Sequence, residues 1–87
     1  MDEIKTKEET LRLKKPIEIS ATYQDKLYSC NNANLGVITI STKLQDCIKE
    51  FEEEIVFLWN EYGKENDERL TKDAIELKRK ILDFVAT

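Results

Sequence analysis

Leu44, Cys47, Ile48, Phe51, Ile55, Leu58, Trp59 and Tyr62 recur at steps of three and four residues. At about 100° per residue they fall in one broad stripe, the mark of an amphipathic helix with one side on a core. Ser41 and Thr42 are good N-caps, and Thr42 with Gln45 three residues on matches a capping box. Gly63 supplies a stop. The spacing predicts a helix from about Lys43 to Tyr62, lying on an apolar platform built by the rest of the chain.

The platform is written upstream. In Pro16 to Tyr23 the residues Ile17, Ile19, Ala21 and Tyr23 alternate with Glu18, Ser20 and Thr22, the period-two pattern of a half-buried strand. Gln24-Asp25-Lys26 has turn character, and Leu27 to Asn31 continues as a second strand to make a hairpin. Asn31 to Gly36 reads as a loop, because Asn and Gly tolerate the positive φ of tight turns. Val37-Ile38-Thr39-Ile40 is β-branched throughout and predicts a third strand, central and buried on both faces. Tyr23 and Tyr28 are expected on opposite faces of the sheet.

The chain is expected to form a single domain over residues 1–87, with residues 1–10 flexible and residues 16–62 as a βββα core. Leu11 and Leu13 alternate as an extended lead-in to Pro16, with a short helix as the competing reading. Lys64 to Asp67 is a polar linker, and a C-terminal helix over residues 67–86 follows, with Asn66 as a candidate cap. Its main stripe is Leu70, Ala74, Leu77, Ile81, Phe84 and Val85, and Ile75 with Leu82 forms a weaker one. The predicted fold class is α+β: a three-stranded, mainly antiparallel sheet with an amphipathic helix on one face and a C-terminal helix.

The composition narrows the chemistry. The 87 residues contain no His, which removes the commonest general base and metal ligand. Neither Cys30 nor Cys47 has a second Cys at zinc-ligand spacing. They are read as two reduced, partly buried thiols, with a Cys30–Cys47 disulfide as the alternative. The N-terminus is charged and lacks an apolar signal segment, and no stretch has the length of a membrane span, so a cytoplasmic protein is expected. No nucleophile motif or phosphate loop is present; we expect neither enzyme activity nor a cofactor or metal.

Net charge is −4, and residues 41–87 hold all of the acidic excess, with eight basic and twelve acidic residues. That sign disfavours direct contact with nucleic acid and favours a basic protein partner, although acidity also serves solubility. On the side of the predicted helix away from its apolar stripe, Asp46, Glu50, Glu53, Glu54 and Glu61 surround Phe57. We take Asp46, Glu50, Glu53, Phe57 and Glu61 as the candidate partner-binding residues, with the carboxylates steering and the ring anchoring. The competing expectation is that the C-terminal helix covers Phe57. The run Glu52-Glu53-Glu54 cannot converge on one metal ion, since successive helical residues point about 100° apart.

Gln24-Asp25-Lys26-Leu27-Tyr28 at the hairpin, Leu35-Gly36-Val37-Ile38-Thr39 entering the third strand and Ser41 to Ile48 opening the helix together resemble the HicB-like antitoxin family over about residues 16–62. The resemblance implies a partial ribonuclease-H-like sheet crossed by a helix. It also implies a non-catalytic role in which the domain masks a small basic ribonuclease, a HicA-like toxin. No contact residue of the family carries over to a position in this chain. The alternative expectation is a structural homodimer or stand-alone scaffold without a toxin, assembled through Ile75, Leu82 or a free sheet edge.

Overall fold

The structure is a computed structural model that describes residues 3–6 and 10–85. Its largest element is an antiparallel sheet of order β3-β4-β5, formed by Ser20–Gln24, Leu27–Asn32 and Val37–Ser41. A separate two-stranded ribbon joins β1 (Glu3–Lys5) to β2 (Thr10–Arg12). Helix α1 spans Leu44–Leu58, continues as a π turn over Trp59–Gly63, and is followed by a 3₁₀ turn at Asp67–Arg69 and helix α2 (Lys72–Phe84). The described chain is therefore α+β, with the three-stranded antiparallel sheet and the two helices that the patterning predicts.

The β3–β4 hairpin closes at Gln24↔Leu27, leaving Asp25 and Lys26 as a two-residue turn at φ 53° and 66°. Positive φ at both central positions gives the twist that hairpin strands need. The β4–β5 connection uses Gly36 at φ 68°, with the Gly36 N–H donating to Ala33 O at 3.3 Å. Buried Asn32 fixes the entry to this loop. Its Nδ2 donates to Glu18 O at 2.9 Å, and its Oδ1 accepts from Leu35 N at 3.0 Å. Both polar ends are satisfied, as a buried amide requires.

Helix α1 packs over β4 and β5. Cys47, Phe51 and Ile55 are fully buried on its inner face, against Cys30 and Val37 of the sheet. Complete burial of a Phe or Ile side chain contributes about 1.5–3 kcal/mol before entropy is counted. Thr39 ties the layers together: its Oγ1 donates to Cys47 O at 2.9 Å, and its own carbonyl accepts from Cys47 Sγ at 3.3 Å. Helix α2 docks against the π turn, and its C-terminal end reaches the segment that follows β2. There Leu13 bridges Val85, Lys14 N–H donates to Phe84 O at 2.6 Å, and the Lys15 ammonium stands 4.7 Å from the Phe84 ring centre.

Several expectations are corrected. Within the span read as flexible, Glu3–Lys5 and Thr10 belong to a paired ribbon, in which Ile4 and Leu11 face one another and are buried; residues 1, 2 and 7–9 lie outside the described residues. The first strand of the main sheet starts at Ser20 rather than Pro16, and all five of its residues are exposed. Only Ile17, ahead of it, is fully committed to the core. The third strand, β5, is an edge and not a centre, with Ile38 63 % and Ile40 56 % exposed. Tyr23 and Tyr28 are direct cross-strand partners and so share a face, with ring centres 4.5 Å apart.

The helix boundaries differ as well. Thr42 does not cap α1; Lys43 occupies the N-cap position and no side chain caps it. Leu44, placed on the core stripe by its spacing, remains 40 % exposed at the open first turn. Helix α2 starts later than residue 67, with Thr71 and not Asn66 as its cap, the Thr71 Oγ1 accepting from Ala74 N at 3.2 Å. Gly63 is needed for a reason other than positive φ: a Cβ there would meet the Trp59 ring.

Candidate functional site

The acidic surface predicted from the helix spacing exists. Asp46, Glu50, Glu53, Glu54 and Phe57 are exposed on α1, and Glu61 is exposed on the π turn that continues it. Phe57 is 50 % exposed, which corrects the expectation that α2 would cover it. The reason is where α2 docks: it packs on the π turn at the end of α1 and leaves the flank around Phe57 open.

The carboxylates lie at intervals that bring them onto shared ground. Asp46 and Glu50, Glu50 and Glu54, Glu53 and Phe57, and Phe57 and Glu61 are each four residues apart. Like charges at this spacing cost a helix a few tenths of a kcal/mol per pair. Among the described residues none of these carboxylates forms an ion pair, and neither does Lys49, the lysine within α1. Asp46, in the first turn, is favourably placed for the helix dipole. Glu53 and Glu54 lie toward the negative end, and no basic residue stands in the last turn. The outer face of α1 thus carries negative charge that no ion pair among the described residues neutralises.

Glu52 differs from its neighbours. It is partly buried, and loss of hydration holds its carboxyl above its ordinary value of 4.5. It belongs to the flank that packs inward and not to the exposed acidic face. Among the described residues no group of three or more His, Cys, Asp or Glu is arranged to hold a metal ion. Cys30 and Cys47 are both buried free thiols, so the disulfide alternative is not the form present. Burial, followed by the neighbouring Cys47, pushes the Cys30 thiol up to about 11. A nucleophilic thiol needs the opposite shift and access to solvent. No helix among the described residues is long and apolar enough to cross a membrane.

Two surfaces escaped the sequence reading. Tyr23, 60 % exposed, meets the Tyr28 ring at a tilt of 43° beside the hairpin. Leu27, Ile38 and Ile40 are exposed on the face of the sheet opposite α1. The strict alternation of Ile38 and Ile40 with Val37 and Thr39 was a signal that β5 has two apolar faces, but not that one of them stays open. In comparisons with protein-family models, curated proteins and solved structures, the chain matched none.

Proposed function

We propose that this chain is a non-catalytic protein-binding module whose acidic α1 face docks a small basic protein. The observation that carries this reading is the set of unpaired carboxylates around a half-exposed Phe57. A cationic partner relieves the like-charge repulsion along α1 and covers the ring. The charges Asp46, Glu50, Glu53 and Glu61 steer the encounter and set its orientation, while Phe57, once desolvated, supplies more of the affinity. By its resemblance to HicB-like antitoxins, the partner is a small basic ribonuclease of the HicA-like class. The mode of action is steric masking, which requires no chemistry from this chain.

The test is co-expression with the product of the adjacent reading frame, followed by affinity measurement. If that product is small and basic, the two proteins co-purify, and Kd weakens by about tenfold or more between low and high salt. Phe57→Ala weakens it by a further tenfold or so, about 1.4 kcal/mol, with the fold intact because the ring is half in solvent. An affinity indifferent to both salt and Phe57 would show that the acidic face is not the docking surface.

A further inference from the structure

The sheet has a second side. The cross-strand pairs place Leu27, Ile38 and Ile40 on the face away from α1, around a Thr22–Ser29 hydroxyl contact of 3.2 Å. Ile38 and Ile40 are neighbours along β5, Ser29 sits directly across from Ile40, and Leu27 is the next residue of β4 on that face. The remaining positions of this face are Ser20, Gln24 and Asn31. In a chain that is 37 % charged, none of the paired strand positions on this face is ionisable, and the nearest carboxylate ahead of them in sequence is Glu18, two residues before Ser20.

We propose that this uncharged face docks a second copy of the same chain, sheet against sheet, about a two-fold axis. The charge pattern selects this occupant. A basic partner finds no carboxylate among the paired strand positions, whereas two copies of this neutral patch meet without repulsion despite a net charge of −4 on each chain. The same pattern selects face packing over edge pairing. Joining two β5 edges would set both α1 helices side by side on one surface of a continuous sheet, with like charge against like. Face packing leaves the helices on the outside, with two sheets about 10 Å apart between them. That separation exceeds the Debye length of about 8 Å. It also leaves both acidic faces free, so the assembly is compatible with the proposed partner site and does not depend on it.

The available area sets the strength. Three strands about 4.8 Å apart and five residues long offer a patch of roughly 15 by 17 Å. This is less than the ~800 Å² per partner of a standard interface. The dimer is therefore weak and concentration-dependent, with Kd on the order of 10 μM to 1 mM.

Sedimentation equilibrium on the full chain from micromolar to millimolar concentration tests it. The weight-average mass is expected to climb from 10.2 kDa toward twice that value, and added salt should not dissociate the dimer. This is the reverse of the salt response expected at the acidic face, so the two proposals fail separately. Ile38→Lys and Ile40→Lys should each hold the chain monomeric with an unchanged circular dichroism spectrum. At least one of Ser29→Cys and Asn31→Cys, both on the central strand, should give a disulfide-linked dimer with oxidised glutathione. A wild-type chain that stays monomeric at millimolar concentration overturns the proposal. So does a dimer that survives both lysine substitutions, or one that neither cysteine can trap, since an edge-paired dimer keeps the central strands about 14 Å apart.

Discussion

Gly63 lies against the indole of Trp59 so closely that a Cβ at position 63 would fall 2.9 Å from Cζ3 and nearer still to Cε3. Both residues belong to the π turn on which α2 docks, and both are buried. Gly63→Ala therefore forces the ring, and with it the seat of α2, to shift. A loss of about 1–3 kcal/mol is expected, the usual cost of overpacking. In a domain of this size that lowers Tm by several degrees per kcal/mol, measurable by thermal denaturation. An unchanged Tm would mean that the indole moves aside freely.

The hairpin turn offers the opposite change. Lys26 adopts φ 66° without being glycine, a conformation that costs an ordinary residue roughly 1 kcal/mol. Lys26→Gly produces the Asp-Gly pair that this turn type favours. The expected outcome is a gain of about 0.5–1 kcal/mol in urea unfolding, visible as a higher midpoint at constant slope.

Two acids shape the low-pH limb in opposite senses. The Lys78 ammonium donates to Asp67 Oδ1 at 2.8 Å and to Glu65 O at 2.6 Å, linking α2 to the connection before it. The hydrogen bond from Lys78, and then its charge, hold the Asp67 carboxyl below its ordinary 3.8. A depressed acid stabilises the fold above its unfolded value, and that contribution is lost as pH falls through the folded value. Asp67→Asn should therefore be less stable than wild type at pH 7, with the gap closing under acid. Glu52, raised by burial, acts the other way: its penalty is absent below 4.5 and grows as pH rises through the folded value. Glu52→Gln should raise Tm at pH 7 and leave it unchanged at pH 3. Thermal melts of both variants across this range read the two signs.

The paired core thiols give an alkaline counterpart. Cys30 is fully buried and titrates near 11 in place of 9.0. Its raised value means stability that is complete below about pH 9 and is lost toward pH 11. Alkylation by iodoacetamide at pH 8 should be slow in the native protein and fast in denaturant, following unfolding. Rapid native labelling would show that the α1–sheet layer opens locally.

How much of this was legible beforehand varies by element. The hairpin could be placed because Asp25-Lys26 interrupts two extended runs, and turn chemistry is local. Helix α1 could be placed because Cys47, Phe51, Ile55 and Leu58 repeat with the helical period. The acidic face followed from the same periodicity, since one spacing orients both sides of a helix. The β1–β2 ribbon was missed because a single pair, Ile4 and Leu11, carries its burial, too few residues to make a pattern. The edge position of β5 was missed because Val37-Ile38-Thr39-Ile40 looks alike whether its outer side is covered or bare.

Local order along the chain was enough to specify the three main strands, the hairpin turn, the two helices and the sidedness of α1, because backbone preference and side-chain period act over a few residues. It did not specify which neighbours close over each side. Phe57 stays open because α2 rests on Trp59–Gly63, and Ile38 and Ile40 stay open because nothing in the described chain packs beneath the sheet. Those outcomes depend on contacts between residues far apart in the chain, and only the assembled tertiary structure decides them.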